Sequence, residues 1–175
     1  MKLGKFKSAA DRYELALKKL LIATHDDVFI WKIRPSFKQE DIDYGLLSEQ
    51  EIENLKDIVL LRATIHSNLS LCYFKNLEKN VKFRQFVADN ATRCLDLVDS
   101  LSGDQFSKVE IDEKVLENLV QKNSFRRANI YLLEQKYDEA MEDAKVSKEE
   151  KLIKKIKSAV QEYDKSMANR LQKFF

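Results

Sequence analysis

Apolar residues recur at intervals of three and four along most of the chain, which is the spacing of one face of an α-helix. Over residues 5–23 they form a stripe with lysines and arginines opposite it, so we predict a helix there. Ser48 begins a Ser-x-x-Glu sequence just before another apolar run. This capping box predicts a helix from about residue 49 to about residue 76. The periodicity predicts further helices over residues 82–99, 112–134, 137–147 and 148–175.

Two segments lack this periodicity. Residues 24–47 contain four of the aromatic side chains and the only proline, Pro35, and we predict an irregular insertion that packs on the helices. Within it, residues 28–33 have partial strand character but no evident partner strand. Residues 100–111 include Gly103 and predict a loop between two helices.

Two sequence patterns each occur twice in the predicted helices. In the first pattern, an aromatic residue is followed by a small residue three positions later and by a core residue four positions beyond that. These residues are Phe6, Ala9 and Tyr13 in the helix of residues 5–23, and Tyr137, Ala140 and Ala144 in the helix of residues 137–147. In the second pattern, Asn68 aligns with Arg126 and Tyr73 aligns with Tyr131, and both alignments span 58 positions. Recurrence at a fixed spacing indicates stacked helical repeats.

The pattern resembles the tetratricopeptide repeat, a helical hairpin that normally recurs every ~34 residues. The resemblance implies an all-α fold in which residues 1–175 form a single domain, a tetratricopeptide-like helical-hairpin solenoid of three units. It assigns residues 1–23 to the second helix of an incomplete first unit, residues 48–99 to unit two and residues 112–147 to unit three. A long C-terminal capping helix, residues 148–175, covers the last unit. The insertion 24–47 and the loop 100–111 fall between units, where a helical array tolerates extra residues.

Composition agrees with a mainly helical protein. Three glycines and one proline leave little material for hairpins, while 34% charged and 44% apolar residues suit amphipathic helices. The net charge is only +2, so no overall field favours a nucleic acid or a membrane as partner. The chain has neither a signal-peptide core at its start nor an apolar run of about eighteen residues. We therefore expect a cytoplasmic or nuclear location.

No residue pattern indicates an enzyme. A glycine-rich phosphate loop, a nucleophile elbow and a His-Glu metal motif are all missing from the sequence. Cys72 and Cys94 lack a CxxC spacing and are interpreted as small buried hydrophobes. His25 and His66 have no metal-ligand partners at a suitable spacing. We expect no catalysis, no cofactor and no metal.

Three polar residues form a candidate peptide-binding site: Asn68, Lys122 and Arg126. Lys122 and Arg126 lie four positions apart on one predicted helix and so share a face. Asn68 holds the position in its unit that Arg126 holds in the third, so stacking of the units places all three in one trough. Arginine can form bidentate bonds to a carboxylate, lysine adds a mobile charge, and an asparagine amide can donate and accept.

With these residues the chain resembles the tetratricopeptide domains of the immunophilin and co-chaperone group. In that group a carboxylate clamp binds the acidic Glu-Glu-Val-Asp carboxyl terminus of cytosolic heat-shock chaperones. The resemblance assigns Asn68 to the clamp's second-unit Asn, and Lys122 and Arg126 to its third-unit Lys and Arg. A Lys and an Asn from the first unit complete the clamp in that group, and they have no counterpart in this sequence. The expected function is a non-catalytic co-chaperone adaptor that binds an acidic chaperone tail.

Two alternatives remain open at the level of the sequence. In the first, the protein is a scaffold that binds a different partner, and the clamp is vestigial. In the second, residues 148–175 bind calmodulin, because eight Lys or Arg and four Asp or Glu residues there accompany an apolar stripe. If this segment caps the repeats instead, its first part, up to about Tyr163, should be core, and Met167 and the residues after it should be exposed.

Overall fold

The structure is a computed structural model, and it describes residues 3–23, 48–77, 80–107 and 109–172. The predicted insertion 24–47, with its stretch of partial strand character, lies outside the described residues. The helical residues of the described ranges form α-helices and short 3-10 segments, and none of the described residues forms a strand. The prediction of an all-α fold is therefore confirmed for these ranges. The α-helices are α1 (Leu3–Ala23), α2 (Glu49–Phe74), α3 (Phe83–Leu101), α4 (Glu113–Leu133), α5 (Tyr137–Val146) and α6 (Glu150–Leu171).

The start of α2 has the geometry that its sequence predicts. The Glu51 N–H donates to Ser48 Oγ over 3.3 Å, and the Ser48 N–H donates to Glu51 Oε2 over 2.8 Å. This reciprocal capping box satisfies two backbone donors that a helix start would otherwise leave without a partner. The helix begins at Glu49 as predicted and ends at Phe74, two residues before the predicted end.

The predicted loop 100–111 is more ordered than its sequence indicates. Helix α3 continues to Leu101, and a 3-10 helix follows at Asp104–Phe106. The physical reason is burial, because the Phe106 side chain is 3% exposed and packs in one cluster with Leu55 and Leu101. An aromatic anchor in the core holds a segment that turn-forming residues alone would leave irregular.

The helices pack in chain order. Each helix contacts the next one along the chain, and α2 also contacts α4. The contacts between α2 and α4 advance in the same direction along both helices: Leu119 shares a cluster with Ala63, and Asn123 binds Ser67 one turn later. Helices α2 and α4 are therefore parallel neighbours, with α3 packed against both.

Helix α1 packs on the later turns of α2. Ala10 lies in one cluster with Ile65, Leu69 and Cys72 of α2, and partly buried α1 residues, including Tyr13, surround it. The predicted apolar stripe of residues 5–23 therefore faces α2 in the part whose side chains are described. A hydrogen bond from the Tyr73 hydroxyl to the Glu14 carboxylate adds a polar contact between the same two helices.

Helix α6 packs only through its first part. Ile156 is fully buried with Ala140 and Ala144 of α5, whereas residues 161–170 are all exposed. The boundary falls earlier than the sequence predicts, because Tyr163 is 44% exposed. Its ring still contacts the Tyr137 ring, with centroids 5.7 Å apart. Helix α5 is short, and α6 extends past the surface that α5 offers.

Candidate functional site

The candidate site lies where α4 meets α2. Helix α2 carries Asn68, and α4 carries Lys122 and Arg126 one turn apart. Arg126 reaches across to α2, where its Nη1 donates to the carbonyl oxygen of Ser67 over 2.7 Å. Because Ser67 directly precedes Asn68, the structure places the Arg126 guanidinium beside the backbone that carries Asn68.

The three predicted residues differ in exposure. Lys122 is exposed, Asn68 is half-buried, and Arg126 is only 6% exposed. From the sequence alone, Lys122 and Arg126 are two similar cations on one face of a predicted helix. In the structure only Lys122 stands on the open surface, and Arg126 is inserted between α2 and α4.

All the hydrogen bonds of Arg126 within the described residues use one nitrogen. Nη1 donates to Ser67 O at 2.7 Å, to Ser67 Oγ at 3.3 Å and to Asn123 Oδ1 at 3.3 Å. Every fully buried side-chain nitrogen or oxygen in the described part of the chain has a hydrogen-bond partner. Because Nε and Nη2 of Arg126 bind no described residue, neither nitrogen is among the fully buried atoms.

The Arg126 charge has no counter-charge in the described ranges. No carboxylate there forms an ion pair with it, and its electrostatic neighbours are the thiols of Cys94 and Cys72. Burial raises the pKa of Cys94 to about 12 and also raises the pKa of Cys72, so both thiols are neutral at pH 7. Burial lowers the pKa of Arg126, but an arginine stays protonated in a protein. A buried charge without an opposite charge is destabilising.

The neighbouring Arg127 shows the opposite arrangement. Its Nε and Nη2 donate to the two oxygens of Asp143 over 2.7 and 2.8 Å, and its Nη1 donates to Thr92 Oγ1 over 3.1 Å. These hydrogen bonds to Asp143 raise the pKa of Arg127. Of two adjacent arginines, one is neutralised inside the protein and the other is not.

Asn68 and Lys122 are also available to a ligand. Neither side chain makes a hydrogen bond or an ion pair with any residue that the structure describes. Asn68 can donate through its NH₂ group and accept through its oxygen, while Lys122 offers a mobile ammonium group. Together with Arg126, these side chains offer two cations and one amide with unused hydrogen-bonding capacity, a set suited to an anionic ligand.

Sequence reasoning missed the two residues that hold Arg126, which are Ser67 and Asn123. Asn123 is fully buried, and its Nδ2 donates to Ser67 Oγ, to Cys94 Sγ and to Leu119 O over 2.9, 3.2 and 2.8 Å. A signal for this network was present. Asn123 and Arg126 fall on the stripe that Leu119 and Ile130 mark as the core face of α4, where polar residues are uncommon.

The two cysteines and His66 are buried. Cys72 and Cys94 are buried free thiols, as predicted. No group of His, Cys, Asp or Glu within these ranges could hold a metal ion. His66 is buried, and its Nδ1 lies 2.8 Å from Asn90 Oδ1, while His25 lies outside the described residues. Burial, the largest cause, lowers the pKa of His66, and the charges of Arg93 and Arg62 lower it further.

No protein-family model, curated protein or solved structure matches the chain significantly. The resemblance to tetratricopeptide domains therefore rests on residues of the chain itself. Among the described helices, none is long and apolar enough to cross a membrane.

Proposed function

We propose that this protein is a tetratricopeptide-like, non-catalytic adaptor whose surface between α2 and α4 binds the acidic carboxyl terminus of a partner protein. By the resemblance to co-chaperones, that partner is a heat-shock chaperone whose tail ends in Glu-Glu-Val-Asp. The proposal places the protein in the cytoplasm or the nucleus, where such chaperones act.

One observation carries the proposal. Arg126 is 6% exposed, is charged, and has no carboxylate partner among the described residues. A peptide carboxylate on its open Nε and Nη2 would supply the missing counter-charge and form charge-assisted hydrogen bonds. Lys122 lies one turn before Arg126 on α4, and Asn68 directly follows Ser67 on α2, so the proposal assigns all three side chains to the same bound peptide.

The arrangement of the helices supports the repeat interpretation. Each helix packs on its neighbour in the chain, as expected of stacked hairpins, and the first helices of the second and third units, α2 and α4, lie side by side. The backbone at Gln135 adds a local detail, because its φ of 60° is left-handed. Gln135 aligns with Gly4 in the sequence pattern, but Gly4 lies within α1 and no described glycine has a positive φ, so this detail belongs to the turn after α4 alone.

Peptide binding to the intact chain tests the proposal. We expect a peptide ending in Glu-Glu-Val-Asp to bind with micromolar affinity in calorimetry, and the affinity to fall as salt is raised from 0.05 to about 0.5 M. The substitution Lys122→Ala should weaken binding several-fold. Lys145→Ala is the matched control, because Lys145 is an equally exposed lysine on the other helix of the third unit.

Two outcomes would contradict the proposal. If the wild-type chain does not bind the peptide, the clamp is vestigial and the scaffold alternative is favoured. If Lys122→Ala and Lys145→Ala weaken binding equally, the affinity for the peptide depends only on the general positive charge of the protein.

A second candidate function has its own observation. Helix α6 continues past its packed part, and its end exposes Tyr163 and Met167, while most of the basic residues of the segment lie earlier in the helix, before residue 158. Calcium-dependent binding of calmodulin that Met167→Asp abolishes would support this alternative. Unchanged binding in that variant would exclude the α6 end as the binding site.

A further inference from the structure

We propose that Ser67 and Asn123 are positioning residues, which hold Nη1 of Arg126 so that its Nε–Nη2 edge is presented to a single carboxylate. This inference rests on the proposed peptide-binding function and specifies how the carboxylate is recognised. The ligand group is bound side-on, through two parallel N–H donors, instead of through the end of the guanidinium.

The planar geometry of the guanidinium determines which of its donors remain for a ligand. A guanidinium is planar, so fixing one of its nitrogens restricts the directions of the others. Nη1 is held against α2 by both oxygens of Ser67 and is also within 3.3 Å of Asn123 Oδ1. The donors that remain are Nε and Nη2, whose parallel N–H bonds match the spacing of the two oxygens of a carboxylate.

The positioning residues are themselves fixed by the fold. Asn123 Nδ2 donates to the carbonyl oxygen of Leu119 over 2.8 Å, so the amide oxygen must be the atom that faces Arg126. The other bonds of Nδ2, to Ser67 on α2 and Cys94 on α3, tie this orientation to two further helices. A guanidinium held in this way loses little freedom on binding, which favours affinity.

Arg127 provides an internal example of the proposed contact. Its Nε–Nη2 edge already binds the two oxygens of Asp143, with bonds of 2.7 and 2.8 Å. The two arginines thus use their guanidinium nitrogens in opposite ways. The edge of Arg127 is occupied by a carboxylate of the protein, whereas the same edge of Arg126 has no partner among the described residues and, in the proposed contact, binds a carboxylate of the ligand.

The test observes the arginine Nε–H signals of the full chain by NMR while sodium acetate is added, with sodium chloride at matched ionic strength as reference. We expect the Arg126 signal to shift saturably with acetate and the Arg127 signal to stay unchanged. Ser67→Ala should weaken acetate binding about three- to tenfold, the usual effect of one hydrogen bond. Ser70→Ala is the matched control, because it removes an equally buried hydroxyl of α2 that bonds to Val87 O instead of Arg126.

An unshifted Arg126 signal, or an equal loss in the two serine variants, would overturn the inference. A parallel titration with the Glu-Glu-Val-Asp peptide separates this inference from the proposed function. If acetate shifts Arg126 and the peptide does not bind, the proposed function is wrong and the carboxylate site stands. If the peptide binds and the Arg126 signal does not move, the function stands and the role of Ser67 and Asn123 is wrong.

Discussion

Asn123 and Arg126 occupy positions on α4 that helical periodicity assigns to the core, because Leu119 and Ile130 lie on the same stripe and are buried. In most helices such positions hold apolar residues. Here they hold an amide and a guanidinium that bind Ser67 on α2. The contact between α2 and α4 is therefore partly polar, and this polarity creates the candidate site.

The polar contact predicts an unequal effect of two asparagine substitutions on α4. Asn123→Ala should lower the free energy of unfolding by about 1–3 kcal/mol, because it leaves buried partners on α2 and α4 unsatisfied. Asn129→Ala is the control, because among the described residues the Asn129 amide bonds only to Phe125 O, four residues earlier on the same helix. Urea unfolding measures both changes. Equal losses would show that the network contributes nothing beyond a local helix contact.

The sequence predicts the site residues but not their environment. Spacing alone indicates that Asn68 and Arg126 hold corresponding positions and that Lys122 shares a helix face with Arg126. Burial depends on the neighbouring helix, however, and no local pattern shows that Arg126 reaches Ser67 O. Nor does the sequence show that Asp143 neutralises Arg127 and leaves Arg126 without a counter-charge, because that pairing joins α4 to α5.

At the scale of elements, the helices are predictable where their signals are local. The capping box at Ser48 sets the start of α2, and Asp112 caps α4 by accepting the Lys114 N–H over 2.9 Å. The helix ends are harder to predict, because two of them use left-handed residues without glycine. Gln135 and Lys148, with φ of 60° and 59°, follow α4 and α5.

The turn after α4 predicts a stabilising substitution. Gln135→Gly should raise the free energy of unfolding by about 1 kcal/mol, because glycine adopts a left-handed φ without the steric penalty of a side chain. Gln135→Ala is the control, because alanine keeps the Cβ atom that causes the penalty. Thermal or urea unfolding reports the difference. A glycine variant no more stable than the alanine variant would mean that the turn imposes no such penalty.

The division of α6 into a packed part and an exposed part predicts two different responses. Ile156→Ala should destabilise the whole domain by about 2–5 kcal/mol, because Ile156 is fully buried against α5. Removal of residues 166–175 should leave the melting temperature nearly unchanged, because residues 166–170 are exposed. A cooperative loss of structure on that truncation would show that the end of α6 is structural and would weaken the calmodulin alternative.

At the scale of the whole molecule, the described helices contact one another in the order in which they occur in the chain. The connections favour this order for α2 through α6, because consecutive helices are usually adjacent in space. Helix α3 runs antiparallel to α2, as the contacts of Ser70 with Val87 and of His66 with Asn90 show. Helix α4 reverses the direction again, so α2 and α4 are parallel and Ser67 contacts Arg126. Residues 24–47, where the sequence shows no helical periodicity, lie outside this description.

The proposed function depends on a contact between the terminal carboxylate of the bound peptide and Arg126. The most direct measurement compares the binding free energies of the Glu-Glu-Val-Asp peptide and its C-terminal amide, in the wild-type chain and in a folded Arg126→Ala variant. We predict that the free acid binds the wild-type chain about 1.5–3 kcal/mol more tightly than the amide does. This difference should nearly vanish in the variant. Equal affinities of acid and amide for the wild-type chain, or an undiminished difference in the variant, would contradict the account.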